Sequence, residues 1–461
     1  MTINNNKNND INNTSKDNKH YGLMTAISMI VGIVVGSGIF FKGDDVLKYT
    51  GGNVLLGVLV FCIGAFGIIF GSLTLIEFSV RTKKNGGVAG YFEDFISKSI
   101  ASGFGWFQTF VYYPTLIAVI GWVCGIYTCS LLGLDNTLEL EIILGLLHIV
   151  IFYVINIVSV KVGGYFQNLT TIIKLIPLLG IAIISIFWSA ANPTIPEGVE
   201  LLTKSEVGIG WLSALVPIAY SFDGWVVATS ITNEVRNPRK NMTLALIIGP
   251  IIVLGVYILY FLGLNKFLGP DYILSTGDDA INKVGEILMG SNGSNIILLF
   301  ITIAVMGVLN GVILGSLRMP QAIASKKMIP HGERVALINP YNGLSTLSCI
   351  ISFISSVIWI FIHYITQKSG LLAGDISELS IVFSYICYVV LYIKVIKMKK
   401  DNEISSYFKG IICPIFAIIG SAIIFIGGII SSPIYTTVFI LICILVTLAG
   451  YLYYRYGVNA G

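Results

Sequence analysis

Twelve predominantly apolar stretches divide the chain, at roughly 22–48, 53–79, 100–132, 138–159, 165–188, 208–234, 241–264, 293–325, 343–366, 372–396, 409–431 and 433–454. Each is about twenty residues or longer, the length a helix needs to cross a bilayer's hydrocarbon core. The pattern predicts an all-α polytopic membrane protein with twelve transmembrane helices, numbered here as spans 1–12. The 9/10 and 11/12 junctions, TQKSG and SSP, are short enough for tight hairpins. Residues 1–20 are Asn-rich and polar and predict a disordered tail. That segment has no apolar core, so it does not read as a signal peptide.

Composition sharpens this picture. Hydrophobic residues make up 55% of the 461 and charged residues 11%, against about 25% charged in soluble domains. A soluble fold of this length cannot cover its surface with so few charges. Cytosolic enzyme, nucleic-acid binder and secreted disulfide scaffold are excluded. The seven cysteines, at 62, 124, 129, 349, 387, 413 and 443, all lie in apolar stretches without CxxC spacing and read as small buried residues. Histidines at 20, 148, 331 and 363 are too scattered for a metal site, and nothing in the pattern calls for a cofactor.

The net charge of +4 says less than its distribution. With the N-terminus in the cytoplasm, the inside segments hold 21 of the 28 Lys and Arg, the outside loops 6, and one, Lys174, falls within a span. The positive-inside rule then predicts that both termini are cytoplasmic. Residues 273–290 fall outside and mix apolar and charged positions at helical spacing, which predicts a short surface helix over the outer mouth.

Two spans are interrupted in corresponding places. Span 1 reads AISMIVGIVVGSGIFF, with Gly32, Gly36 and Gly38 near its middle; span 6 reads SALVPIAYSFDGWVVATS, with Pro217, Ser221, Asp223 and Gly224 near its middle. The Gly32/Gly36 spacing also suits close helix packing. The pairing favours the other reading, because span 6 opens a second block of five just as span 1 opens the first. Interrupted helices at matching places in two halves mark a transporter site at the midplane, and unwound backbone there is tolerated only where it lines a cavity. The expectation is an inverted repeat of spans 1–5 and 6–10, with spans 11–12 added.

The motifs GIVVGSGIF (32–40), LTLIEF (73–78), NGGVAGYFEDF (85–95) and AYSFDGW…TNEVRNPRKN (219–241) resemble the amino acid–polyamine–organocation transporter superfamily. KVGGYFQNLTTIIKLIPL (161–178) and NGVILGSLRMPQAIASKKMIP (310–330) resemble its L-amino acid transporter branch, especially bacterial serine/threonine exchangers. The likeness covers about residues 20–400 in order. It implies a LeuT-like 5+5 inverted repeat with helices 1 and 6 broken, a transport core at 21–400, and added helices at 401–461.

A zwitterionic amino acid in a dry site needs donors for its carboxylate and acceptors for its ammonium. Amides at the start of span 1's second half supply donors, helped by the helix dipole. The resemblance assigns Gly36, Ser37 and Gly38 to the carboxylate. Freed carbonyls of Val34, Tyr220, Ser221 and Asp223 are the acceptors. Tyr220 stands where relatives often carry Phe, which reads as an aromatic gate over the substrate; a core or interfacial Tyr is the alternative. Asp223 is the only acidic residue the pattern places deep in a span. It reads either as an N-cap for Trp225 or Val226 or as a ligand for a cation or proton. Val226 departs from some mammalian relatives, which have Asn there, so their substrate range does not transfer.

Lys174 lies eleven residues beyond Gly163, roughly 16 Å deep at the helical rise. Its side chain cannot snorkel that far and must point into protein or water. In sodium-independent members of the family a Lys here reaches the unwound part of span 1, where an ammonium stands in for Na⁺. Glu77 and Arg81, with Glu234 and Arg236, read as inner-gate ion pairs or as solvated surface. Animal relatives attach a glycoprotein heavy chain through a Cys in the 3–4 loop, and LGLDNTLELE (132–141) has none. The expected function is sodium-independent transport of small neutral L-amino acids (serine, threonine and alanine type), by the exchange that the resemblance implies, with no metal, nucleic-acid or heavy-chain partner. Its rivals are a cationic amino acid or polyamine antiporter and a proton-coupled symporter.

Overall fold

The computed structural model describes residues 22–36, 38–82, 87–187, 190–226, 235–290, 292–371 and 374–458. The 1–20 tail, Ser37 and Glu234 lie outside these. The described residues are almost entirely helical, and nine of the helices are long and apolar enough to cross a membrane. They realise spans 2, 3, 4 and 7 to 12, from Val54–Ser79 through Pro433–Val458. Spans 1, 5 and 6 are shorter pieces.

The outside of the bundle is apolar. Ile143, Leu147, Val150, Val154 and Val158 form an exposed stripe along span 4, as do Ile350, Ile354, Ile358, Phe361 and Ile365 along span 9. Helical spacing of this kind normally points inward in a soluble protein. Here it faces out over a length that only lipid would cover. The chain is a multi-pass membrane protein.

Span 1 is two helices, Leu23–Val34 and Gly38–Tyr49. Span 6 begins as a 3₁₀ turn, Gly208–Ala214, continues as Leu215–Ser221, and gives way to turns through Val226; its remainder lies outside the described residues. Span 5 is divided as well, into Val160–Ile173 and Leu175–Phe187 with Lys174 between them. Pro177 explains the break: it has no N–H for the carbonyl four residues back, Ile173, and its ring crowds that carbonyl.

Pro114 leaves a similar mark in span 3. Its missing donor frees the Phe110 carbonyl, which instead accepts from the Trp359 indole of span 9 at 2.6 Å. The turn just before it, Gln108–Tyr112, is π-helical, a form that often re-aims side chains at functional sites.

Spans 1, 2, 6 and 7 pack among themselves, and so do spans 3, 4, 8 and 9. The segment predicted as a surface helix forms Pro270–Thr276, a short 3₁₀ turn and Ala280–Met289. It is more deeply seated than expected, with Ala280, Ile281, Val284 and Gly285 buried.

Candidate functional site

Helix ends leave carbonyls without intrahelical partners. At the end of span 1's first half, the Val31 carbonyl is met by the amide of Val35, whose φ of −66° and ψ of 102° take the chain out of the helix. The Gly32 carbonyl would ordinarily bond the amide of Gly36, which lies beyond the break. Instead it accepts from Lys174 Nζ at 2.6 Å. The Val34 carbonyl accepts from the Tyr257 hydroxyl at 3.1 Å, and the same hydroxyl reaches the Ser221 carbonyl of span 6 at 2.8 Å. One tyrosine of span 7 thus bridges the open ends of both interrupted helices.

The two breaks touch. A Cβ at Gly38 would lie 2.6 Å from Ser221 Cα, so only glycine permits this approach, and one at Gly36 would lie 3.3 Å from a Val308 methyl. Around the junction is a cavity of about 300 Å³, the lower end of the small-molecule range. Val34, Gly36 and Gly38 line it from span 1, Tyr220, Ser221 and Asp223 from span 6, and Lys174 from span 5. Ser37 lies outside the described residues. Leu116, Ile120, Val308 and Val312 give an apolar wall, with Gly311 and Gly315 opening space on span 8.

Within the site, some expected acceptors already have partners. The Tyr220 carbonyl closes a turn with the amide of Asp223 at 3.0 Å. The Asp223 carboxylate accepts from the Tyr112 hydroxyl at 2.5 Å, and the helix it would cap, beyond Val226, lies outside the described residues. Lys174 is 3% exposed and tied to the break of span 1. The two charged side chains lining the cavity are therefore both bonded to protein.

Several residues here carried no sequence signal. Tyr112, Tyr113 and Tyr257 are three among 23 tyrosines, and only the Tyr-Tyr-Pro run in span 3 hinted at a special turn. Lys42 is one of the six Lys and Arg that the charge pattern assigns to the outside. The structure buries it on span 1, paired with Asp375 and Glu378 of the span 10 N-terminus. Asp223 is thus not the sole buried acid within a span, a correction forced by Asp375, 333 residues beyond Lys42 in sequence, and by Glu378 beside it. At the opposite end of span 2, Glu77 pairs with Arg81 at 2.5 Å and lies 3.8 Å from Lys409 of span 11.

The family profile described as Amino acid permease matches residues 21–455. The serine/threonine exchanger SteT of Bacillus subtilis is 30% identical over 436 residues, covering 94% of this chain and 95% of its own. The rat b(0,+)-type amino acid transporter 1 is 25% identical over 96% of this chain and 88% of its own. The human large neutral amino acids transporter small subunit 2 is 26% identical over 75% and 66%. The chain belongs to the amino acid permease family, within the amino acid–polyamine–organocation superfamily.

Proposed function

We propose that the chain is a secondary active transporter of small neutral L-amino acids of the serine, threonine and alanine type, working without sodium and by exchange. The observation that carries this reading is the cavity at the junction of the two broken spans, bordered by backbone that no helix uses. The substrate carboxylate takes the amides of Gly36, Ser37 and Gly38, where the helix dipole favours an anion. Its ammonium takes the carbonyls of Val34 and Ser221, sharing them with Tyr257, with those of Tyr220 and Asp223 alongside. The side chain meets the apolar wall, and Tyr220 closes over it as the gate. Lys174 supplies the positive charge that Na⁺ would otherwise bring to span 1.

The likeness to the Bacillus serine/threonine exchanger supports the substrate class and the exchange mode. Each packing group joins spans five apart, 1 with 6, 2 with 7, 3 with 8, 4 with 9, which supports a LeuT-like inverted repeat over residues 21–400 with helices at 401–461 added. With Lys42 placed on span 1, the count of 21 Lys and Arg inside against the remaining 5 outside supports cytoplasmic termini in the cell membrane. The 132–141 loop without Cys supports a transporter that needs no heavy chain.

Asp223 in the cavity wall favours a second reading, a cationic amino acid or polyamine antiporter. Its bond from Tyr112 and the neighbouring Lys174 weigh against that. Counterflow in proteoliposomes separates the two. Serine, threonine and alanine should outcompete arginine, lysine and putrescine, and replacing choline with sodium should leave the initial rate unchanged. If arginine outcompetes serine and Asp223→Asn removes that advantage, Asp223 is the ligand and the second reading replaces the first.

A further inference from the structure

Lys42 lies on the second half of span 1, 2.8 Å from Asp375 Oδ2 and 2.8 Å from Glu378 Oε1, and all three side chains are 5% exposed or less. Asp45 is farther, at 3.5 Å, and 29% exposed. One buried ammonium therefore faces two buried carboxylates. With both acids ionised, one negative charge is left without a partner in a place where unpaired charge is costly. Two carboxylates sharing one site do not readily ionise together.

The surroundings distinguish the two acids. Asp375 caps span 10: its Oδ1 accepts from the amides of Ser377 at 2.9 Å and Glu378 at 3.1 Å and from the Ser377 hydroxyl at 2.5 Å, while Oδ2 holds Lys42. Four donors favour its charged form. Glu378 has Lys42 on Oε1 and turns Oε2 toward Gly374. It also borders a cavity of about 10 Å³ shared with Ser431 and Ser432, about the space of one water. A second buried group faces the same cluster. His363 of span 9 is 0% exposed, neither ring nitrogen has a hydrogen-bond partner, and Asp375 and Lys42 are the charges that act on it. Asp45 and Tyr49, both on span 1, also act with Glu378, and the buried Asp44 and Asp278 act on the same Lys42.

We propose that Glu378, held by Lys42 and Asp375, is a proton-binding site whose occupancy sets how firmly the second half of span 1 is tied to span 10. The site rests on the transport reading above for its effect, though not for its existence. With Glu378 protonated, Lys42 and Asp375 balance each other. When the proton leaves Glu378 for solvent water by way of the adjoining water-sized cavity, Lys42 is held by two anions, and span 1 is pinned. Lys42 also lies 5.6 Å from the ring centroid of Tyr220, so the change reaches the aromatic side chain over the substrate cavity. Alternating access requires this half-helix to move against its neighbours, so protonation speeds exchange and deprotonation slows it.

The test uses purified full-length wild type, Glu378→Gln and His363→Gln. Serine exchange in proteoliposomes is followed over about pH 5 to 9, the range open to buried carboxyls, alongside infrared spectra of the same proteins. Wild-type exchange should fall several-fold as pH rises, while Glu378→Gln should show no pH dependence. A protonated-carboxyl C=O band lost on raising the pH should be present in wild type and diminished in Glu378→Gln; His363→Gln should retain both features. A wild-type pH profile or an undiminished band in Glu378→Gln overturns the proposal. A flat profile in His363→Gln moves the proton to the imidazole and overturns it equally. If no protein exchanges serine at any pH, the transport reading fails and the infrared band alone decides the proton site.

Discussion

Where spans 4, 8 and 9 meet, buried polar side chains bond to one another. The Tyr153 hydroxyl lies 2.7 Å from Ser352 and 3.0 Å from Ser356, and Asn156 donates to Asn310 at 2.8 Å. Where spans 1, 5, 6 and 7 meet, the bonds run from side chains to backbone carbonyls that a helix end has released: Lys174 to Gly32, and Tyr257 to Val34 and Ser221. Both arrangements satisfy buried groups, yet they do different things. A side-chain network locks two regular helices together. A side chain on a released carbonyl keeps a helix open, and it stands beside a cavity from which another donor can reach the same oxygen. In the proposed transporter, the first region serves as frame and the second as site.

This contrast breaks most visibly at Gly38. Gly38→Val places side-chain atoms where even a Cβ lies 2.6 Å from Ser221 Cα. Overpacking costs about 1–3 kcal/mol, and the strain falls on the site itself, so serine affinity should drop about 100-fold. Size-exclusion profile and membrane insertion should stay those of wild type, because the frame is untouched; normal affinity would remove the site from this junction. Lys174→Met comes next. Hydrogen bonds to charged groups contribute about 1.5–3 kcal/mol, so transport should fall about 10- to 100-fold, read as kcat/KM for serine uptake. Tyr257→Phe removes one neutral hydroxyl shared by two carbonyls, worth about 1 kcal/mol, and serine Kd should weaken about fivefold. Asn310→Ala sharpens the comparison from the other side. Loss of its bonds to Asn156 and Gly163 should lower unfolding stability by about 1–3 kcal/mol while serine Kd stays unchanged.

The sequence and the structure agree best where chemistry is local. Glycines and a proline in mid-span announced the breaks of spans 1 and 6, and a lone Lys inside an apolar run announced its own burial. The break at Lys174 is legible too, since Pro177 follows three residues later. What sequence did not carry are partners brought together by the fold. Tyr257 and Tyr112 look like any other tyrosines until the carbonyls of Val34 and Ser221 and the carboxylate of Asp223 appear opposite them. Lys42 reads as a loop cation until span 10 delivers Asp375 and Glu378 to it. In each case the decisive contact joins residues far apart in the chain, and local pattern has no access to it.

The central claim is that the break of span 1 and the break of span 6 together recognise the backbone of an amino acid, its carboxylate and its ammonium, with the side chain left to the apolar wall. Competition against labelled serine in proteoliposomes tests this directly, using L-alanine, serine methyl ester and ethanolamine as competitors. L-alanine keeps both charged groups and should compete nearly as well as serine. The ester and ethanolamine keep the ammonium and lose the carboxylate, and should compete poorly. If ethanolamine displaces serine as well as L-alanine does, the amides at the start of span 1's second half do not hold a carboxylate, and the account is wrong.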